Sequence, residues 1–167
     1  MSAEEAATFL GQERTVTCAT SGPRGWPHLM PLWYVLRAPD PQPASAGAAV
    51  PPAPRLWSWT YAASQKVRNL ERDPRATLQV EAGEEYQQLR GVMLECEVVI
   101  HRAVAVVGAL GREIFTRYAA PAGAVPVAEL APEVAAMVEQ QAAKRVALEF
   151  VEVRRATWDH RKLGGVY

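Results

Sequence analysis

Cysteine is scarce in this chain of 167 residues: Cys18 and Cys96 stand far apart, in no metal-binding or redox spacing. A disulfide-stapled fold is therefore excluded, and the reducing cytoplasm is the expected compartment. Charge of one sign is lacking too, since 18 Lys and Arg offset 18 Asp and Glu. No global field draws a polyanion, so neither a dedicated nucleic-acid binder nor a polybasic membrane protein is expected. Long apolar runs are missing. A bilayer span needs roughly 20 such residues, and residues 1–10 (MSAEEAATFL) start acidic, unlike a secretory leader. Glycine-rich phosphate loops and the Gly-x-Ser-x-Gly elbow are absent as well. His28, His101 and His160 are widely spaced, no pair has zinc-ligand spacing, and no metal site is expected. What is present, 49% hydrophobic and 22% charged residues, describes an ordinary globular chain. One domain over residues 1–167 is the expectation.

Periodicity divides that domain. Residues 14–20 (RTVTCAT) alternate and are rich in β-branched side chains, which marks a strand. Ser21-Gly22-Pro23-Arg24-Gly25 is turn chemistry. Residues 26–36 (WPHLMPLWYVL) are apolar on both faces and read as one strand covered on both sides, completing a hairpin. Residues 38–54 hold six of the 13 prolines and almost no charge. They form an exposed insertion in a loop between strands. Strand character resumes at 55–60, and Ala63, Val67 and Leu70 then make the apolar stripe of a short helix that Asp73-Pro74 stops. Residues 75–81 alternate. So do residues 86–101, where Val92, Leu94, Cys96, Val98 and Ile100 share one face and Glu95 and Glu97 the other. Helical patterns cover 104–119 and 131–143, a strand covers 144–154, and residues 156–167 form a tail. Successive strands mostly lack helical crossovers, so the sheet is antiparallel. A mainly β fold with flanking helices is expected, six strands closed into a small antiparallel barrel.

Three places carry more than packing. At the strand-to-helix junction Ser58-Trp59-Thr60-Tyr61-Ala62-Ala63-Ser64-Gln65-Lys66, Thr60 or Ser64 can cap the helix, leaving N–H groups and partial positive charge at its start. Lys66 lies in the first turn, where a cation does not help the helix; a bound phosphate or carboxylate would explain it. A solvated lysine on a plainly capped helix is the bland alternative. Second, Pro27 and Pro31 interrupt a strand-like run, so pairing must lapse or face an edge. A lapse would free backbone groups such as the Leu32 N–H for a planar heterocycle, with Met30, Trp33, Trp57 and Trp59 as walls or as ordinary core. Third, the tail segment Trp158-Asp159-His160-Arg161-Lys162-Leu163 is dense in functional side chains. It is expected to fold back over a site or a neighbouring subunit rather than fray. His101 is read as a structural histidine, and Glu95 with Glu97 as solvated acids.

These segments resemble the split β-barrel flavin and deazaflavin oxidoreductases, the superfamily of pyridoxamine 5′-phosphate oxidases. The likeness rests on Thr20–Gly25 followed by Trp26-Pro27-His28-Leu29-Met30-Pro31-Leu32-Trp33-Tyr34, then on residues 64–75 (SQKVRNLERDPR), and on Gly91 in the long strand. It implies an FMN-binding-like split barrel and a homodimer with cofactor at the subunit interface. It implies that Ser64 and Lys66 meet the cofactor phosphate, with Gln65 between them among the cofactor-binding residues, while Met30, Pro31, Leu32 and Trp33 lie along the ring. Ser58, Trp59 and Thr60 would line the same groove, and Asn69 would steady the helix. The oxidases that use FMN show Ser-Arg-Lys where this chain has Ser64-Gln65-Lys66, and KVRNLERDPR is closer to the branch that uses the deazaflavin coenzyme F-420. The resemblance thus implies hydride transfer to a small planar or unsaturated acceptor. Tyr34 or His160 is the candidate proton donor. An FMN-dependent oxidase or reductase is the alternative, and a non-catalytic flavin- or haem-binding protein is the alternative of another class.

Overall fold

In a computed structural model, which describes residues 1–39, 53–119 and 130–164, the alternating segments form seven strands rather than six. In chain order they are helix α1 (Ala3–Gln12), strands β1 (Val16–Ser21), β2 (Pro27–Leu32), β3 (Val35–Arg37) and β4 (Arg55–Tyr61), helix α2 (Gln65–Arg72), strands β5 (Arg75–Ala82) and β6 (Arg90–His101), helices α3 (Val104–Ala119) and α4 (Pro132–Ala142), and strand β7 (Arg145–Asp159). All pair antiparallel in the order β2-β1-β5-β6-β7-β4-β3. Most of the Pro-rich insertion, residues 40–52, lies outside the described residues, as do 120–129 and 165–167. No helix among the described residues is long and apolar enough to cross a membrane.

The extra strand arises because residues 26–36 do not run straight. At Trp33 and Tyr34 the backbone bonds to side chains instead of a neighbouring strand. Ser58 Oγ donates to the Trp33 carbonyl (2.7 Å), the Tyr34 N–H donates to Tyr118 Oη (3.0 Å), and Arg117 donates to the Tyr34 carbonyl (2.9 Å). Backbone groups held this way cannot continue a ladder. The bend therefore carries the chain from one edge of the sheet, β2, to the other, β3. The two edges are joined by two residues of chain rather than by hydrogen bonds, and the barrel is split there.

The β1–β2 hairpin fixes which β2 groups face outward. Gly25 (φ +81°) turns the loop and the Gly22 N–H donates to the Trp26 carbonyl (3.0 Å). Bonded pairs in an antiparallel ladder recur at every second residue, so His28, Met30 and Leu32 bond to Thr20, Cys18 and Val16. The Leu32 N–H, expected to be free, is thereby turned into the sheet. Pro27 and Pro31 occupy outward-facing positions, where a missing donor costs nothing. Nor is the segment covered on both sides: Trp26, Leu29, Met30 and Trp33 are exposed among the described residues, and β2 is an edge strand.

Two cores flank the sheet. Inside the curl lie Val16, Cys18, Leu78, Val80, Val92, Leu94, Leu148 and Phe150 with Phe9 and Leu10 of α1; full burial of each large aliphatic contributes about 1.5–3 kcal/mol. Outside, Trp59 and Ala147 pack under Val107, Leu110 and Ile114 of α3 and Val138 of α4. Helix α1 was not anticipated, although its start is legible: Ser2 and Glu5 form a reciprocal capping box. The tail is shorter than expected. Residues 156–159 extend β7, and only then does a turn at His160–Lys162 begin. It folds back on its own chain: Lys162 pairs with Glu5 (2.7 Å), and the Trp158 ring lies over Gly91.

A Cβ at Gly91 would stand 2.2 Å from Trp158 Cζ2. Gly91→Ala is thus expected to destabilise the chain by about 1–3 kcal/mol through overpacking, read as a lower midpoint in thermal denaturation. An unchanged midpoint would show that Trp158 is not seated on β6.

Candidate functional site

Helix α2 opens at Ser64, whose Oγ accepts the Val67 N–H (3.4 Å), so Ser64 rather than Thr60 is the cap. The first turn holds no acid, and Lys66 sits in it. Only 4% of Lys66 is exposed. Its Nζ donates to Thr60 Oγ1 (3.2 Å), and no carboxylate among the described residues forms an ion pair with it. An ammonium carries three donors, so one neutral hydroxyl leaves it undersatisfied. Burial pushes the ammonium below its ordinary value, against the influence of Cys18. The Cys18 thiol, itself pushed up to about 12 by burial, supplies no negative charge at neutral pH. A buried ammonium at the start of a helix, unmatched by any carboxylate of the described residues, is an arrangement that suits an anionic ligand.

The neighbours of Lys66 divide by strand parity. Ser58 and Thr60 pair with Leu148 and Val146 of the inner core, while Trp59 pairs with Ala147 of the outer one. The three therefore do not line one groove. Thr60 faces Lys66. Ser58 is fully buried and its hydroxyl is spent on the Trp33 carbonyl. Trp59 packs against Gly111 of α3 on the opposite face, with the Arg145 guanidinium 4.5 Å from its ring. Gln65 is exposed and donates to Asn69 Oδ1 (2.8 Å), along the helix. Asn69, wholly buried, donates in turn to Thr20 Oγ1 (3.0 Å) and ties α2 to β1.

On β2, Met30 stands opposite Cys18 and is half exposed, Pro31 is exposed, and Leu32 packs against the inner core. Trp33 stacks on Tyr118 of α3 (4.4 Å between centroids, 14° between planes) and meets Phe115 edge-on. Trp57 is stacked on His101 and is not a groove wall. One residue was overlooked. His28 shares the inward face of Met30, opposite Thr20, and its Nδ1 is buried with no hydrogen-bond partner among the described residues. Its position two residues before Met30 was the available signal.

Neither proton-donor candidate reaches this place. Tyr34 is wholly buried, with Oη within hydrogen-bond reach of the carbonyls of Leu10 (2.6 Å) and Glu13 (2.9 Å), and burial pushes its phenol above the ordinary value. His160 follows the far end of β7, with Nδ1 2.9 Å from the Tyr86 carbonyl. The near end of that strand, Arg145, pairs with Tyr61 beside α2. The tail therefore does not cover the Lys66 region within one chain. No group of three or more metal-ligating side chains occurs among the described residues.

Residues 2–158 match the pyridoxamine 5′-phosphate oxidase family. The chain belongs to that family. Among curated proteins nothing matches. Of solved structures, a conserved hypothetical protein of Mycobacterium tuberculosis, Rv2991, is 35% identical over all of this chain and 90% of its own, with a TM-score of 0.76. An F420 reductase is similar at 19% identity and a TM-score of 0.55, over 89% of this chain and 94% of that one. HutZ, a haem storage protein of Vibrio cholerae, is similar at 12% identity and 0.61, over 94% and 93%. The last two share the fold. Members of the oxidase family and its structural neighbours thus include oxidoreductases and a storage protein on one scaffold, so the chemistry has to be argued from the site.

In this family member, the undersatisfied ammonium gives a test. With Lys66 depressed in the folded state, its cost is absent above the ordinary ammonium value, sets in as pH falls below that value and is complete once pH lies below the lowered one. At neutral pH, Lys66→Met is expected to stabilise the ligand-free chain by about 1 kcal/mol or more. It is also expected to abolish any rise in melting temperature on adding inorganic phosphate. A destabilised variant that still responds to phosphate would remove Lys66 from an anion site.

Proposed function

We propose that this chain binds coenzyme F-420 in the split between the sheet edges β2 and β3 and uses it to transfer hydride to a small planar or unsaturated acceptor. The observation that carries the reading is Lys66, a buried ammonium with one hydroxyl for company at the start of α2. The residues fit a phosphorylated cofactor at that end. Lys66 and the first N–H groups of α2 would hold the phosphate, with Thr60 orienting Nζ and Ser64 fixing where the helix begins. The resemblance of residues 66–75 to the deazaflavin branch supports F-420 over FMN, and the shared fold with an F420 reductase is in keeping with it.

When bound, the cofactor supplies the hydride chemistry. The chain supplies place and dryness. Met30 and Leu32 would present an apolar edge to the ring, and Trp33, held by Tyr118 and Phe115, would stand beside them. His28 Nδ1 offers a polar contact on the same face. Ser58 and Trp59 take no part, being buried elsewhere. With Tyr34 enclosed, any proton for the acceptor comes from solvent rather than from a dedicated acid.

The reading includes a homodimer. Trp26 and Met30 on one face of β2, Leu29 on the other and Trp33 beyond its end are large apolar side chains left exposed along this edge. Pro27 and Pro31 bar a further strand from pairing there, so a second copy would pack by side chains over the ring's open face.

Titration with F-420 is expected to quench tryptophan fluorescence through Trp33. Lys66→Ala should weaken binding about 10- to 100-fold, the loss of a charged hydrogen bond. Saturable quenching by FMN alone would favour the FMN-dependent alternative. No quenching by either cofactor would overturn the flavin reading, and a monomer in sedimentation would overturn the dimer.

A further inference from the structure

The other end of β4 carries a cluster on the face turned away from Lys66. Sheet register gathers it: Val35 pairs with Trp57, Arg37 with Arg55 and Trp57 with Glu149, while His101 stands beside Ala147. Glu149 is largely buried; Arg55 Nη1 donates to one of its oxygens and His101 Nε2 lies 2.9 Å from the other. Burial alone would raise this carboxyl, but the hydrogen bonds from Arg55 and His101 outweigh it and hold it below the usual carboxylate range. The imidazole stacks on Trp57 (4.8 Å, 24°). The Arg37 guanidinium lies 4.9 Å from the centre of the same indole, fixed by two hydrogen bonds to Glu113.

Beside this cluster is a cavity of about 590 Å³, walled by Trp57 and by Ala105, Val106 and Ala109 of α3. The start of α3 adjoins it. Ala103 precedes that helix and has no side-chain acceptor, and the first turn contains no acid. Donors thus outnumber acceptors around the cavity. An ionised Glu149 on Nε2 selects the tautomer with its proton there, which turns the lone pair of Nδ1 to other partners. Among the described residues, Nδ1 has no hydrogen-bond partner.

We propose that this cavity binds a small monocarboxylate with an apolar body, taken up together with one proton on His101 Nδ1. The proton comes from solvent, no covalent bond forms or breaks, and the imidazolium bridges Glu149 and the ligand carboxylate. Charge accounting selects a monoanion. Arg55 cancels Glu149 and Arg37 cancels Glu113, so one proton gained at His101 balances one negative charge, whereas a dianion would leave an excess. The apolar walls of α3 and the indole fit a hydrocarbon body better than a hydrated inorganic ion.

The test uses benzoate as probe and the full chain, without flavin. Calorimetric affinity is expected to fall with rising pH, by up to about tenfold per pH unit, the signature of one-proton linkage. Saturating benzoate at constant pH should move the His101 C2–H signal in NMR towards the imidazolium position. His101→Gln should weaken binding about tenfold and erase its pH dependence. Lys66→Ala, which disables the proposed flavin site, should bind benzoate as the wild type does, so the two readings stand or fall separately. Affinity independent of pH, or a His101 signal unmoved by saturating benzoate, overturns the proposal even if His101→Gln fails to fold.

Discussion

Everything in this fold depends on a two-residue bend whose backbone is held by side chains. At Trp33 and Tyr34 the carbonyls and one N–H are engaged by Ser58, Arg117 and Tyr118 rather than by a strand. The same Arg117 reaches the carbonyls of Gly11 (3.0 Å) and Glu13 (2.6 Å), where α1 ends. One cluster from α3 therefore sets the break between β2 and β3, the seat of α1 and the stacking partner of Trp33. Because such groups are costly to leave unpaired once buried, the bend is defined as sharply as a regular element would be. It joins the two sheet edges covalently and leaves them unpaired, which creates the split.

The split explains a conflict between stability and use. A chain selected for stability alone would not bury an ammonium against a single threonine at the start of a helix. Lys66 breaks local rules of charge placement and satisfaction together, and such breaks gather at functional sites. The surrounding devices are consistent with one purpose: Ser64 fixes the register of α2, and Asn69 locks the helix to Thr20. The opposite end of β4 shows the contrasting solution, where the buried carboxylate of Glu149 is fully matched by Arg55 and His101. At one end of β4, Thr60 thus meets the poorly matched ammonium of α2, and at the other Arg55 meets the matched acid of β7.

Strand parity is the reason the fold brings some of the expected site residues together and separates others. Consecutive residues Ser58, Trp59 and Thr60 read as one motif along the chain, yet alternate residues of a strand face opposite ways. Thr60 meets Lys66, Trp59 joins the helical core, and Ser58 holds the bend. The same rule would have found His28. Tyr34, attractive as an acid by residue type, is enclosed by a helix whose presence had not been inferred.

What the sequence determined by itself is local and periodic. Alternation and turn chemistry placed β1, β4, β5, β6 and α3 within a few residues, Asp73-Pro74 ended α2, and the run at 64–75 carried the family likeness. These features rest on neighbours in the chain, and neighbours are legible. What only tertiary structure decided is where non-local bonds compete with local preference. Arg117 and Tyr118, more than 80 positions from Tyr34, turned one apparent strand into two. Curling of the sheet sent Lys66 inward instead of into solvent, and Arg55, His101 and Glu149 met because three separate strands share a register.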